Sequence, residues 1–155
     1  PLLPVRQGGQ DSDSRTAGVY GFLADDRMSA TTRILLVDDE PTILLGLSHL
    51  LRRSGAEVTP CLGRDEAMDA IRKQVFDLAL LDVRLSGTEI TAGLDLLALL
   101  KERSPQTYVI VMTAFGTDEI RREAMARGAS HYCDKPLNLD HLLGLVRGLP
   151  QLPSC

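Results

Sequence analysis

From residue 33 onward the chain alternates between short, solid apolar runs and longer stretches whose apolar positions recur every three or four residues. Ile34, Leu35, Leu36 and Val37 form the first run, which stops at Asp38. A continuous apolar run closed by an acid is the pattern of a parallel strand covered on both faces. Pro41 then falls in a helical first turn, where its missing N–H costs nothing. Ile43, Leu44, Leu47, Leu50 and Leu51 follow at helical spacing, and Gly55 is placed to end that helix.

Residues 57–61 predict a weaker second strand. Pro60 cannot donate to a ladder, so this strand belongs at a sheet edge. A helix over 65–73 leads to a third apolar strand over 76–82, again ending in an acid, Asp82. A leucine-rich helix over 94–102, read as core packing, is closed by Ser104 and Pro105. A fourth strand covers 108–112 and ends at Thr113. Thr117 caps a helix running to Arg127, with Asp118 and Glu119 in its first turn and Gly128 at its end. A short strand over 130–133 and a helix opened by Asn138, running to about Gly148, complete the pattern. Five strands alternating with five helices predict an α/β fold, a doubly wound parallel sheet with helices on both faces.

Residues 1–32 have a different texture. Gly8, Gly9, Asp11, Ser12, Asp13 and Ser14 cluster there without a sustained period. Such a segment buries too little to offset its ordering entropy and is expected to be mostly disordered. Met28 opens a plausible start, so residues 1–27 are expected to be upstream sequence with no role in the fold. The folded part is expected to span residues 33–148, followed by a short tail over 149–155.

Composition changes this picture little. Hydrophobic residues make up 44% of the 155 and charged residues 25%, the proportions of a soluble globular domain. The net charge of −4 argues against direct nucleic-acid binding and against an anionic membrane surface. No apolar run approaches the roughly 18 residues of a membrane span, and the longest apolar stretch near the N-terminus, over 19–24, is too short for a secretory signal. Cys61, Cys133 and Cys155 form no CxxC pair. A reducing, cytoplasmic setting is the expectation, with Cys61 and Cys133 as small core residues.

In open parallel sheets, ligands bind beyond the carboxyl ends of the strands, where strand order reverses. Asp38 and Asp39 close the first strand, Asp82 the third and Thr113 the fourth, while Lys135 follows the fifth. All are expected at one edge of the sheet. At about 5 Å and an effective dielectric near 20, each carboxylate pair repels by roughly 3 kcal/mol. A hard divalent cation such as Mg²⁺ offsets this, and Lys135 adds a compact ammonium suited to a phosphoryl oxygen. A carboxylate in that setting can attack a phosphoryl donor and form an acyl phosphate. Thr113 is placed to donate to a phosphoryl oxygen, and the small Ala114 leaves access.

The stretches ILLVDDEP over 34–41, LLD over 80–82, VMTA over 111–114 and GASHYCDKP over 128–136 resemble the receiver domain of bacterial two-component response regulators. The resemblance implies a flavodoxin-like sheet in the order 2-1-3-4-5. It implies that Asp82 accepts a phosphoryl group from a sensor histidine kinase or phosphotransfer protein. Asp38, Asp39, Asp82 and the backbone carbonyl of Arg84 would hold Mg²⁺, and Lys135 would pair with the phosphoryl group. The peptide before Pro136 would be cis. Thr113 and Tyr132 would be the switch pair, read out on the face of helix four, strand five and helix five. The same likeness implies a switch that assists its own phosphorylation and dephosphorylation rather than an enzyme. Its partner downstream would be an effector protein or an output domain beyond this sequence, and a homodimer through the readout face stays open.

The family commonly carries Met-Pro three and four residues past the acceptor and a glycine about eight past it. Here Leu85 and Ser86 stand at the first two places and Gly93 falls eleven past, so the loop over 84–92 carries about three extra residues. Arg84 and Phe115 lie two residues beyond Asp82 and Thr113, flanking the route for hydrolytic water. His49, His131, His141 and Asp134 are read as surface residues, and Tyr132 has an alternative reading as an amphipathic edge-strand aromatic.

Two other functions compete. A receiver-like module binding protein without phosphorylation fits the altered loop. A small-molecule phosphatase with an aspartate nucleophile typically shows Asp-x-Asp on its first strand, unlike the adjacent pair here. No Gly-x-x-x-x-Gly-Lys-Ser/Thr or Gly-x-Gly-x-x-Gly points to a nucleotide.

Overall fold

Each apolar run becomes a strand and each periodic stretch a helix. The computed structural model describes residues 31–85 and 91–149. The readings for residues 1–30, for 86–90 in the loop after Asp82 and for 150–155 lie outside the described residues. In chain order the elements are β1 (Arg33–Val37), α1 (Pro41–Arg53), β2 (Glu57–Cys61), α2 (Arg64–Lys73), β3 (Leu78–Asp82), α3 (Ala92–Arg103), β4 (Tyr108–Thr113), α4 (Asp118–Ala126), β5 (His131–Asp134) and α5 (Leu139–Gly148).

All four strand pairings are parallel, in the order β2-β1-β3-β4-β5. Pro60 sits opposite Leu36 on the edge strand β2, as its missing donor requires. Alternate strand residues feed two cores, because side chains on a strand point to opposite faces in turn. Leu35, Val37, Ala79, Leu81, Val109 and Val111 meet α2, α3 and α4 through Ala67, Ile71, Leu97, Leu100 and Ala124. Ile34, Leu36, Leu78, Leu80, Ile110 and Met112 meet α1 and α5 through Leu44, Leu47, Leu51, Leu142 and Val146. Among the described residues no helix is long and apolar enough to cross a membrane.

Several boundaries differ from the sequence reading. β3 starts at Leu78 instead of 76, because the Phe76 carbonyl is taken by the Thr107 hydroxyl at 2.8 Å, off the ladder; Phe76 itself is still buried. β5 runs one residue later than expected, because the Val109 N–H goes to the Ser130 side-chain oxygen at 3.0 Å. On α1, Ser48 joins the buried face, while Ile43 and Leu50 lie at its margin. Cys61 is buried, which pushes its thiol up to about 11, whereas Cys133 is only half-buried. Both capping readings hold: Thr117 Oγ1 accepts from Ile120 N–H at 3.3 Å and Asn138 Oδ1 from His141 N–H at 3.0 Å.

Candidate functional site

The chain leaves β1 toward β2 on one side and returns to β3 on the other, so the carboxyl ends of β1 and β3 open a crevice. Asp38 and Asp82 stand in it. Asp38 is fully buried, and its Oδ1 accepts the Glu40 N–H at 2.9 Å, turning the chain into α1, where Pro41 takes the first position. Asp82 ends a strand buried at every position and is itself 5% exposed, with Oδ1 accepting the Arg84 N–H at 3.0 Å. Asp39 is half-buried beside them. One carboxylate oxygen from each of the three lies within 4.8 Å of the others.

Lys135 enters from the end of β5. Its backbone N–H donates to the Thr113 carbonyl at 2.8 Å, and the peptide to Pro136 is cis. Its Nζ donates to Asp38 Oδ2 at 2.6 Å and to Asp82 Oδ2 at 2.9 Å. Thr113 is fully buried, with Oγ1 accepting the Phe115 N–H at 3.2 Å, and Ala114 beside it is exposed. The sequence-predicted carboxylates and Lys135 therefore meet in one place, with Thr113 on the neighbouring strand end.

Burial pushes the Asp82 carboxyl above its ordinary value; hydrogen bonds from Lys135 and the Arg84 N–H, together with the Lys135 charge, pull it back only in part, and the Asp38 charge adds to the rise. Burial alone would lower Lys135, but its bonds to Asp38 and Asp82 outweigh this and hold the ammonium above its usual range. The two shifts answer different questions. The lysine has two anions to satisfy it, and Asp38 and Asp82 share it. The three carboxylates and this ammonium together carry a formal charge of −2.

Arg84 and Phe115, both expected to flank the crevice, are also in contact with each other, and two glycine contacts were not legible beforehand. The Arg84 guanidinium carbon lies 5.5 Å from the centre of the Phe115 ring, and both residues are exposed beside the crevice. Gly93 packs so closely under the end of β3 that an added Cβ would meet the Asp82 carbonyl oxygen and stand 2.7 Å from Val83 Cα. Gly116 lies against the Tyr132 hydroxyl. A glycine's spacing from an acceptor or a cap signals neither contact, because close approach is a property of the folded backbone.

The sequence profile of the response regulator receiver domain matches residues 34–147. The chain belongs to that family. It is 38% identical over 128 residues to the transcriptional activator protein PfeR of Pseudomonas aeruginosa, covering 78% of this chain and 40% of PfeR. It thus spans well under half the length of that relative. Among solved structures it resembles a CheY-like response regulator receiver domain protein from Methanospirillum hungatei, at 30% identity and a TM-score of 0.72, covering 79% of this chain and 96% of that one. It also resembles a Burkholderia pseudomallei response regulator solved with a phosphorylated aspartic acid, a calcium ion and citrate, at 25% identity and a TM-score of 0.68, covering 77% of this chain and 69% of that one.

Proposed function

We propose that residues 33–148 form the phosphoacceptor module of a two-component system, taking a phosphoryl group on Asp82 from a sensor histidine kinase or phosphotransfer protein. The observation that carries this reading is the buried carboxylate at the end of β3, held by the lysine that follows β5 and within 4.8 Å of the carboxylates of Asp38 and Asp39. In the transfer, an Asp82 oxygen bonds to phosphorus as the phosphorus–nitrogen bond of a phosphohistidine breaks; the electron pair leaves with the imidazole nitrogen. Lys135, already at Asp82, would move onto a phosphoryl oxygen, with the Thr113 hydroxyl and the Ala114 N–H donating to others. In dephosphorylation water attacks phosphorus as the bond from the Asp82 oxygen to phosphorus breaks; the electron pair returns to the Asp82 carboxylate, and the water's oxygen and proton leave with inorganic phosphate. The chain would thus assist its own phosphorylation and dephosphorylation without turning over a separate substrate.

The all-oxygen donor set and its net negative charge fit a hard divalent cation, Mg²⁺ by its chemistry. Asp38, Asp39 and Asp82 would hold it, with the Arg84 carbonyl as a further ligand. When bound, such an ion supplies the positive charge that lets an anionic phosphoryl group approach three carboxylates. Arg84 and Phe115, stacked at the mouth of the crevice, would slow the arrival of hydrolytic water.

Thr113 and Tyr132 would carry the phosphoryl state to the face of α4, β5 and α5, for an effector protein or an output domain. Beryllofluoride with Mg²⁺, a stand-in for the phosphoryl group, should raise the melting temperature of the wild-type chain but not of Asp82→Asn or Lys135→Ala. An equal rise in all three would contradict the assignment.

A further inference from the structure

We propose that Gly116 and Arg121 form a latch that holds the Tyr132 ring inward before any phosphoryl group arrives, so that phosphorylation tightens an arrangement already populated. The inference rests on reading Tyr132 as the switch aromatic. Tyr132 is 9% exposed, and its hydroxyl is buried without a hydrogen-bond partner. A phenol in that position forfeits the hydrogen bonds it would make to water. The ring's packing in the core offsets part of that loss, and two further features hold it inward.

The first is Arg121 of α4, whose guanidinium carbon lies 4.9 Å from the ring centre. The same guanidinium reaches Asp134 Oδ2 at 3.9 Å, so one side chain covers the ring and is tethered to β5 beyond it. A cation over an aromatic face is attracted by the ring's electron density.

The second is the space at Gly116. An added Cβ there would collide with the Tyr132 hydroxyl and stand 2.9 Å from Thr113 Cγ2 and 3.0 Å from Asp134 Oδ1. Among the described residues only Gly55 and Gly128 have positive φ, so Gly116 is not serving a left-handed turn. Its contribution is the absence of a side chain, and the hydroxyl occupies that room. Because the Thr113 methyl borders the same space, a shift of Thr113 toward a phosphoryl group on Asp82 would enlarge it and favour the inward ring further.

The test is fluorine NMR of the unphosphorylated full chain labelled with 3-fluorotyrosine. The chain has 3 tyrosines, and loss of one resonance in Tyr132→Phe assigns the relevant one. A small change in its shift between H₂O and D₂O marks a shielded ring. The wild-type resonance should be shielded. Gly116→Ala should move the balance toward an exposed ring by at least about tenfold, the scale of forcing a methyl into packed space. Arg121→Gln should move it about two- to fivefold, the worth of an exposed cation–π contact, and Arg121→Lys by less. Arg121 is 54% exposed, so its replacement keeps the test valid should Gly116→Ala fail to fold. A wild-type ring already open to solvent, or a ring equally shielded in both Arg121→Gln and Gly116→Ala, overturns the latch. The same spectra from Asp82→Asn separate the two claims, because the latch needs no phosphoryl group and its result stands even if Asp82 takes none up.

Discussion

Asp82 carries a charge that its surroundings disfavour, and this has a sign that can be checked. Its folded value lies above the ordinary 3.8, so the fold binds its proton more tightly than the unfolded chain does. Ionisation of Asp82 therefore costs stability as pH rises from 3.8 through its higher folded value, and nothing below pH 3.8, where both states are protonated. Asp82→Asn should raise the metal-free melting temperature at neutral pH, with the gain vanishing in strong acid. Thermal melts across pH test this; a destabilised variant at pH 7 would contradict it. Lys135 shifts in the stabilising sense, its contribution being complete below 10.5 and lost as pH rises through its higher folded value. At the mouth of the crevice, Phe115→Ala should shorten the life of the phosphorylated chain severalfold, and an unchanged decay rate would remove the water-gating role from the Arg84–Phe115 stack.

The elements show how much of this the sequence made legible. β1, β3 and β4 announce themselves because a strand buried on both faces stays apolar from its second residue until it reaches the crevice, so Asp38, Asp82 and Thr113 mark both a strand end and a site. Pro60 gave the edge for an equally physical reason. The Lys135–Asp38 bond spans 97 residues, and only strand order brings the two together. What stayed hidden was close packing. Gly93 reads as a displaced loop glycine, yet it is where α3 meets the end of β3, and its N–H donates to the Val83 carbonyl at 3.3 Å. Gly93→Ala should cost about 1–3 kcal/mol through that collision and slow phosphorylation by displacing Asp82. Wild-type denaturant stability in the variant would show that the loop gives way instead.

At the scale of the whole molecule, an acidic crevice at one end of the sheet and an aromatic ring under α4 are joined by Thr113, whose methyl borders the space beside Gly116. On the proposed reading, a phosphoryl group on Asp82 would thus have a short route to the face of α4, β5 and α5. Everything on that route depends on Asp82 being the acceptor. The direct measurement is the intact mass of the chain after incubation with Mg²⁺ and acetyl phosphate, followed by peptide mapping. A gain of one phosphoryl group on the peptide holding Asp82, labile in alkali and absent from Asp82→Asn, is the expected result. No gain in the wild type, or the same gain in Asp82→Asn, would contradict the account.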